Sequence, residues 1–318
     1  MGIVQAFDDY QKTIDADHGQ VKLARRRRDT FVSAFNSADD VTAVVKSGSL
    51  QRSTQLKPIH DVDIIAVFDS DRYPHWGQPG DSSEEALGRA HDIATELLGA
   101  TSGTVERLIR RANPRNRAVK CFIDPPEQEK AFTVDVMPAL RQSDGTLLLP
   151  SKRDREWSTA DPEFLIACVA ERQSESDYFR PLVRVLKDWR LDVPVDGKIK
   201  SLVMEVLALE CLPTDSNRPH ALRSFFTAAA VRVNYPIVDP AGHCGPIQPD
   251  VDVQGLRTAL ELAAENADLA CTRAARNDLD GAKQAWREIF GPDFPAPAQR
   301  RVPAAPVVPP PIRDAPQG

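Results

Sequence analysis

Ser47-Gly48-Ser49 is followed a dozen residues later by Asp61-Val62-Asp63 and an apolar run, Ile64-Ile65-Ala66-Val67-Phe68. The run reads as a strand. Successive side chains of a strand alternate, so Asp61 and Asp63 share one face while Val62, Ile64 and Ala66 face the core. Two neighbouring carboxylates on one face repel each other, and strand stability gains nothing from them. A divalent cation resolves the conflict, because hard Mg²⁺ takes carboxylate oxygens together with substrate phosphate oxygens. The upstream Gly-Ser supplies a small turn whose N–H groups and hydroxyl can cradle phosphates. The pattern is that of a phosphoryl-transfer site.

A two-metal site needs a third carboxylate that flanks both ions. Asp135 is the candidate, in Ala131-Phe132-Thr133-Val134-Asp135-Val136-Met137-Pro138, where Phe132, Val134 and Val136 form one face and Thr133 and Asp135 the other. Ala118–Asp124 reads as a strand that pairs with it through the Pro125-Pro126 turn. A single Asp is equally at home on a solvated edge strand, so Asp135 carries less weight than the Asp61/Asp63 pair. Gly48-Ser49 alone would read as a simple helix N-cap. His60 reads as a turn residue.

Gly48-Ser49, Thr54, Asp61-Val62-Asp63 and Asp135 together resemble the signature of polymerase-β-type nucleotidyltransferases. Within these the chain is similar to the oligoadenylate synthase and cyclic GMP-AMP synthase branch, and to its bacterial members, the CD-NTases that make cyclic oligonucleotides in anti-phage defence (CBASS). Leu182–Trp189 and Lys200–Leu207 resemble the helical half of that branch. Tyr235–Pro240, Ala285–Gly291 and Phe294-Pro295 resemble its closing segments, so the likeness runs in order over residues 5 to 295.

The resemblance implies an α+β fold: a polymerase-β-like nucleotidyltransferase lobe with a mixed β-sheet, an all-helical C-terminal lobe, and an active-site cleft between them. It implies that Asp61, Asp63 and Asp135 are catalytic and hold Mg²⁺ (or Mn²⁺), and that Gly48 and Ser49 hold the β- and γ-phosphates. Lys187 and Ser201 resemble positions that reach the triphosphate from the helical lobe. Read by itself, Lys187 lies on an ordinary amphipathic helix, with Trp189 a core residue and Glu205 structural. Relatives often carry a base-stacking Tyr beside the latter Ser, where this chain has Leu202.

The implied activity is Mg²⁺-dependent condensation of NTPs, ATP among them, into a cyclic di- or trinucleotide second messenger with release of pyrophosphate. A linear 2′-5′ oligoadenylate-type synthase or an RNA or tRNA nucleotidyltransferase would use the same site. A catalytically silent nucleotide-binding partner protein is the reading from another class, and the intact aspartate set argues against it. The implied partners are a downstream cyclic-nucleotide effector and a conjugation or regulatory partner at the C-terminal tail.

Composition sets the outer bounds. At 318 residues, 42% hydrophobic and 27% charged, the chain is long enough for one large or two medium domains with sizeable cores. Five cysteines lack CxxC spacing, and His243-Cys244 has no second half, so neither a zinc ribbon nor a disulfide framework is indicated. No apolar run approaches the roughly 20 residues that cross a bilayer, which points to a cytoplasmic protein without membrane contact. A net charge of −6 argues against stable nucleic-acid binding, despite local runs such as Arg25–Arg28.

Along the chain, residues 3–36 read as one or two helices broken near Gly19, Ser37 as the cap of a further short helix, 62–68 as a strand and Glu84–Leu98 as a helix. Asp161, Tyr178–Arg190, Lys200–Cys211, Arg218–Asn234 and 252–290 mark successive helices. The expected organisation is a catalytic lobe with its N-terminal spine helix over 1–160, a helical lobe over 161–295, and a tail over 296–318. Repeated prolines (303, 306, 309, 310, 311 and 316) exclude helix and ladder from that tail, which is expected to be disordered.

Overall fold

A computed structural model describes residues 2–99 and 108–298, so nearly all of the expected tail lies outside the described residues. The chain opens with α1 (Ile3–Ile14) and α2 (His18–Asn36), separated at Asp15–Asp17 rather than at Gly19. The break has a local cause: the Asp17 side chain accepts the Gln20 N–H and caps α2. Ser37 closes α2 instead of opening another helix, and the segment after it is a strand, β1 (Val41–Ser47). Then come α3 (Gly48–Arg52), β2 (Asp61–Phe68), α4 (Ser82–Leu98), β3 (Arg111–Pro114), β4 (Val119–Phe122), β5 (Thr133–Arg141), β6 (Leu147–Ser151) and β7 (Glu156–Ala160).

The seven strands form one mixed sheet ordered β1-β2-β5-β4-β3, with β6 pairing the far end of β5 and β7 pairing β6. Among the described residues only β2 and β5 run parallel, in a register that sets Asp63 beside Asp135 and Asp61 beside Thr133. One face of the sheet, with Val62, Ile64, Ala66, Val134 and Val136, packs on α2 and α4 through Phe31, Phe35, Leu87 and Ile93. That face is fully apolar because it is fully covered.

From Pro162 the chain is helical: α5 (Pro162–Glu175), α6 (Phe179–Trp189), α7 (Ser201–Cys211), α8 (Arg218–Arg232), α9 (Val253–Ala275) and α10 (Leu279–Phe290). Asp161, Asn217, Asp252 and Asp278 each accept the N–H three residues on and start α5, α8, α9 and α10. Their core also takes in α1, whose Phe7 meets Trp286 and Phe294 edge-on, each at 5.0 Å between ring centres. Hence α1 packs in the helical half and α2 on the sheet, and the N-terminal pair ties the two halves together. The expected fold class is the one observed: an α/β lobe, a helical lobe, and a cleft between them.

Candidate active site

The site is built where β1 ends. Ser47 pairs with Asp63 across the β1–β2 ladder, and the chain then turns at Gly48 with φ +75°, a conformation that favours glycine. A Cβ on Gly48 would lie 1.9 Å from Asp63 Oδ2. The phosphate-type turn and the central carboxylate are therefore in direct contact. α3 leads away from the turn, and Thr54 N–H returns to Ser49 O at 3.0 Å.

Burial first, and then the charges of Asp61 and Asp135, push the Asp63 carboxyl up to about 7; Arg52 and Lys120 pull the other way. Asp135 is also raised, chiefly by burial, with Lys120 opposing at 3.9 Å from its Oδ1. That Oδ1 is buried and has no hydrogen-bond partner. Asp61 is the exposed member, 3.6 Å from His60 Nε2, while His60 Nδ1 turns to Pro58 O.

These residues suit a divalent cation. Stacked negative charge and an orphaned, buried carboxylate oxygen are what a hard ion satisfies. Among the described residues no set of three His, Cys, Asp or Glu is drawn into a closed ligand cage, so the aspartates share the strand ends without converging on one point.

A cleft of about 640 Å³ opens in front of Asp63, a size suited to small ligands. Gly48, Arg52, Arg117, Lys200 and Leu202 line it, together with Asp239, Pro240 and residues 244–247 of the helical half. A larger hollow of about 1050 Å³ runs along α2 and carries none of Asp61, Asp63 and Asp135.

Of the seven site residues expected from sequence, the structure gathers Gly48, Ser49, Asp61, Asp63 and Asp135 at one end of the sheet. Ser201 is the first residue of α7, between the cleft-lining Lys200 and Leu202. Lys187 stands elsewhere. It is 3% exposed, and its Nζ donates to Glu205 Oε1 and Thr54 O, both at 2.8 Å. In this position two of its three ammonium N–H groups are engaged, and it is not among the residues that line the cleft.

Arg52 was missed by sequence reading, although it stands in the Gly48–Thr54 run. Its Nε and Nη2 donate to the two oxygens of Glu205 at 2.8 and 3.3 Å. Burial alone would raise the Glu205 carboxyl, but Arg52 and Lys187 bring it down to about 2. Burial lowers Lys187 against the pull of Glu205. Two cations on one anion leave this interlobe triad with surplus positive charge just behind Gly48 and Asp63.

Comparison with known proteins follows the same outline. Residues 1–172 match the Second Messenger Oligonucleotide or Dinucleotide Synthetase domain. A probable cyclic nucleotide synthase of Bacillus cereus (strain VD146) is 22% identical over 92% of this chain and 97% of its own length. A cyclic AMP-AMP-AMP synthase of Acinetobacter sp. is 24% identical over 80% of this chain and 73% of its own. Among solved structures, Escherichia coli MS115-1 CdnC with ATP superposes with a TM-score of 0.70 at 17% identity, covering 92% of this chain and 98% of that one.

Proposed function

We propose, for a chain that belongs to the Second Messenger Oligonucleotide or Dinucleotide Synthetase family, that the Gly48–Asp63–Asp135 constellation joins NTPs into a cyclic di- or trinucleotide. The protein is a nucleotidyltransferase of the cyclic-oligonucleotide synthase kind. The observation that carries the assignment of the site is the contact of the Gly48 turn with Asp63, itself in register with Asp135. It brings the Gly48 turn against Asp63, with Asp135 on the neighbouring strand.

In this reading the N–H groups of the Gly48 turn and the Ser49 hydroxyl hold the donor's β- and γ-phosphates. Arg52 adds charge from the same side, oriented by Glu205, and Ser201 offers its hydroxyl from α7. Lys187 acts indirectly, by keeping Glu205 ionised. Asp61, Asp63 and Asp135 would hold divalent ions, Mg²⁺ or Mn²⁺, which when bound acidify the acceptor hydroxyl and neutralise charge on the leaving pyrophosphate. The Asp135 carboxylate also takes the hydroxyl proton. The acceptor oxygen bonds to the donor α-phosphorus, the α–β bridging P–O bond breaks, and pyrophosphate leaves with the electron pair. Repetition of the step on the product's own terminal hydroxyl closes the ring. The product serves as a second messenger for an effector protein in anti-phage defence.

Purified protein incubated with Mg²⁺ and each α-³²P-labelled NTP, alone and mixed, tests the reading. Phosphatase-resistant label in wild type and none in Asp61→Asn/Asp63→Asn supports it. Phosphatase-sensitive ladders would instead assign a linear synthase.

A further inference from the structure

The helical half leaves an apolar groove uncovered among the described residues. Val203 of α7 and Leu256 of α9 form its floor, and Tyr235, Pro236, Pro246 and Val253 its rim, around a hollow of about 270 Å³. No charged residue lines it. Tyr235 is 68% exposed, and Val231, one helical turn earlier, 66%, so large apolar side chains stand here in the open. The walls are fixed. Ile247 N–H donates to Ile237 O at 2.9 Å, and the Gln248 amide accepts the Lys200 N–H at 2.7 Å and donates to Lys198 O at 2.8 Å. Pro246 lines this groove as well as the catalytic cleft, so one loop separates the two. Beside the groove, and sharing Asn234 with it, a hollow of about 310 Å³ runs between α8 and α9 past Glu261 and Glu265.

The chain leaves the described residues at a fixed point. After α10 it folds back: Arg287 Nη1 donates to Pro292 O at 2.9 Å, and Ala298 N–H donates to Asp280 Oδ1 at 3.0 Å. Arg273 Nη1 donates to Gly281 O at 3.0 Å, which sets this exit level with Arg273, near the C-terminal end of α9. The groove lies at the other end of the same helix. At about 1.5 Å per residue, Glu265 is roughly 12 Å and Val253 roughly 30 Å along α9 from that level. The next residues are Gln299, Arg300 and Arg301. Then comes an uncharged run, Val302-Pro303-Ala304-Ala305-Pro306-Val307-Val308-Pro309-Pro310-Pro311-Ile312, closed by Arg313. At a polyproline spacing of about 3.1 Å per residue, the run covers distances of roughly 12–43 Å from Ala298, which bracket the groove.

We propose that Val302–Ile312 of this same chain docks in the groove as an extended polyproline segment, with Arg300 and Arg301 beside Glu265. Chemistry, order and length agree. An uncharged apolar run meets an uncharged apolar groove, and the two cations precede the run where the carboxylates precede the groove along α9. Proline segments lose little conformational freedom on docking and pack on exposed Tyr and Pro rings. Tethering at Ala298 raises the local concentration of the segment, so a modest contact suffices. The docked run lies against the outer side of the Pro246 loop and braces one wall of the cleft from behind. The inference is independent of the chemistry assigned to the cleft.

The test uses the full chain carrying Tyr235→p-benzoylphenylalanine, a photocrosslinking side chain at an exposed position, with circular dichroism to verify the fold. Irradiated protein is separated by denaturing electrophoresis, and tryptic peptides of the monomer band are identified by mass spectrometry. Trypsin cuts after Arg301 and Arg313 and frees the run as one peptide. The expected result is this peptide joined to the groove within the monomer band. Its yield should fall about fivefold or more in Pro306→Ser/Pro309→Ser/Pro310→Ser/Pro311→Ser, which keeps the length of the tether and removes the polyproline preference. A yield that the four substitutions leave unchanged overturns the proposal, because it marks a tethered segment sampling the surface at random. Absence of the joined peptide overturns it as well. Joined peptide confined to a dimer band overturns it too, and gives the groove to the same segment of a second copy.

Discussion

Gly48 and Asp63 stand so close that a single methyl group on the former would lie 1.9 Å from the latter's Oδ2. The turn also needs φ +75°. Gly48→Ala therefore meets both backbone strain and a collision with the central carboxylate. We expect NTP condensation to fall by about a hundredfold or more, since small displacements of aligned groups are costly. Initial rates of pyrophosphate release, with circular dichroism to verify folding, check this.

Asp63 is one of three mutually repelling carboxylates, and this repulsion with burial holds its carboxyl near 7. Asp63→Asn should raise the melting temperature by about 2 °C while lowering transfer by ~10²–10³. Opposite movement of stability and activity is what a strained functional group gives. A variant that loses both would place Asp63 in the structural frame.

Chelation gives a third expectation. EDTA should abolish transfer, and Mg²⁺ or Mn²⁺ should restore it. In thermal shift, NTP alone should stabilise weakly. NTP with Mg²⁺ at about 100 times its dissociation constant should add about 2.7 kcal/mol. Equal stabilisation with and without the metal would count against carboxylate-held ions.

Glu205 sets the acid limit. Its carboxyl is lowered from the usual 4.5 to about 2, so the folded state binds its proton less readily than the unfolded chain does. Its contribution is fully present above pH 4.5 and is lost as pH falls toward 2. Glu205→Gln should be destabilised by about 3–5 kcal/mol at neutral pH, because Arg52 and Lys187 stay buried without their anion. It should also show a shallower loss of stability between pH 4.5 and 2. Urea denaturation at stepped pH gives both readings.

Much of this was legible in the residues themselves. Asp61 and Asp63 were readable because alternation in a strand fixes their common face, and Asp135 because its flanking valines repeat with the same period. The helix starts at Asp161 and in α7 were visible for similar local reasons. β1 was not, since Val41–Val45 is equally compatible with a linker and only its ladder with β2 decides. The short strands β3, β6 and β7 carry little pattern of their own and exist through pairing. Lys187 shows the other limit. Spacing places a lysine on a helix face but does not reveal that the same face meets Glu205 and Thr54.

Asp63 and Asp135 meet through a parallel pairing in the sheet, and Arg52 meets Glu205 across 153 residues of chain. Neither encounter is available early in translation. A ribosome-bound fragment ending between Asp135 and α7 would already contain all three aspartates and the Gly48 turn, yet lack the anion that orients Arg52. Coupling Arg52 to the helical half of the protein delays completion of this side of the site until α7 has been made. For a maker of a potent signal, that is a safeguard against unfinished copies.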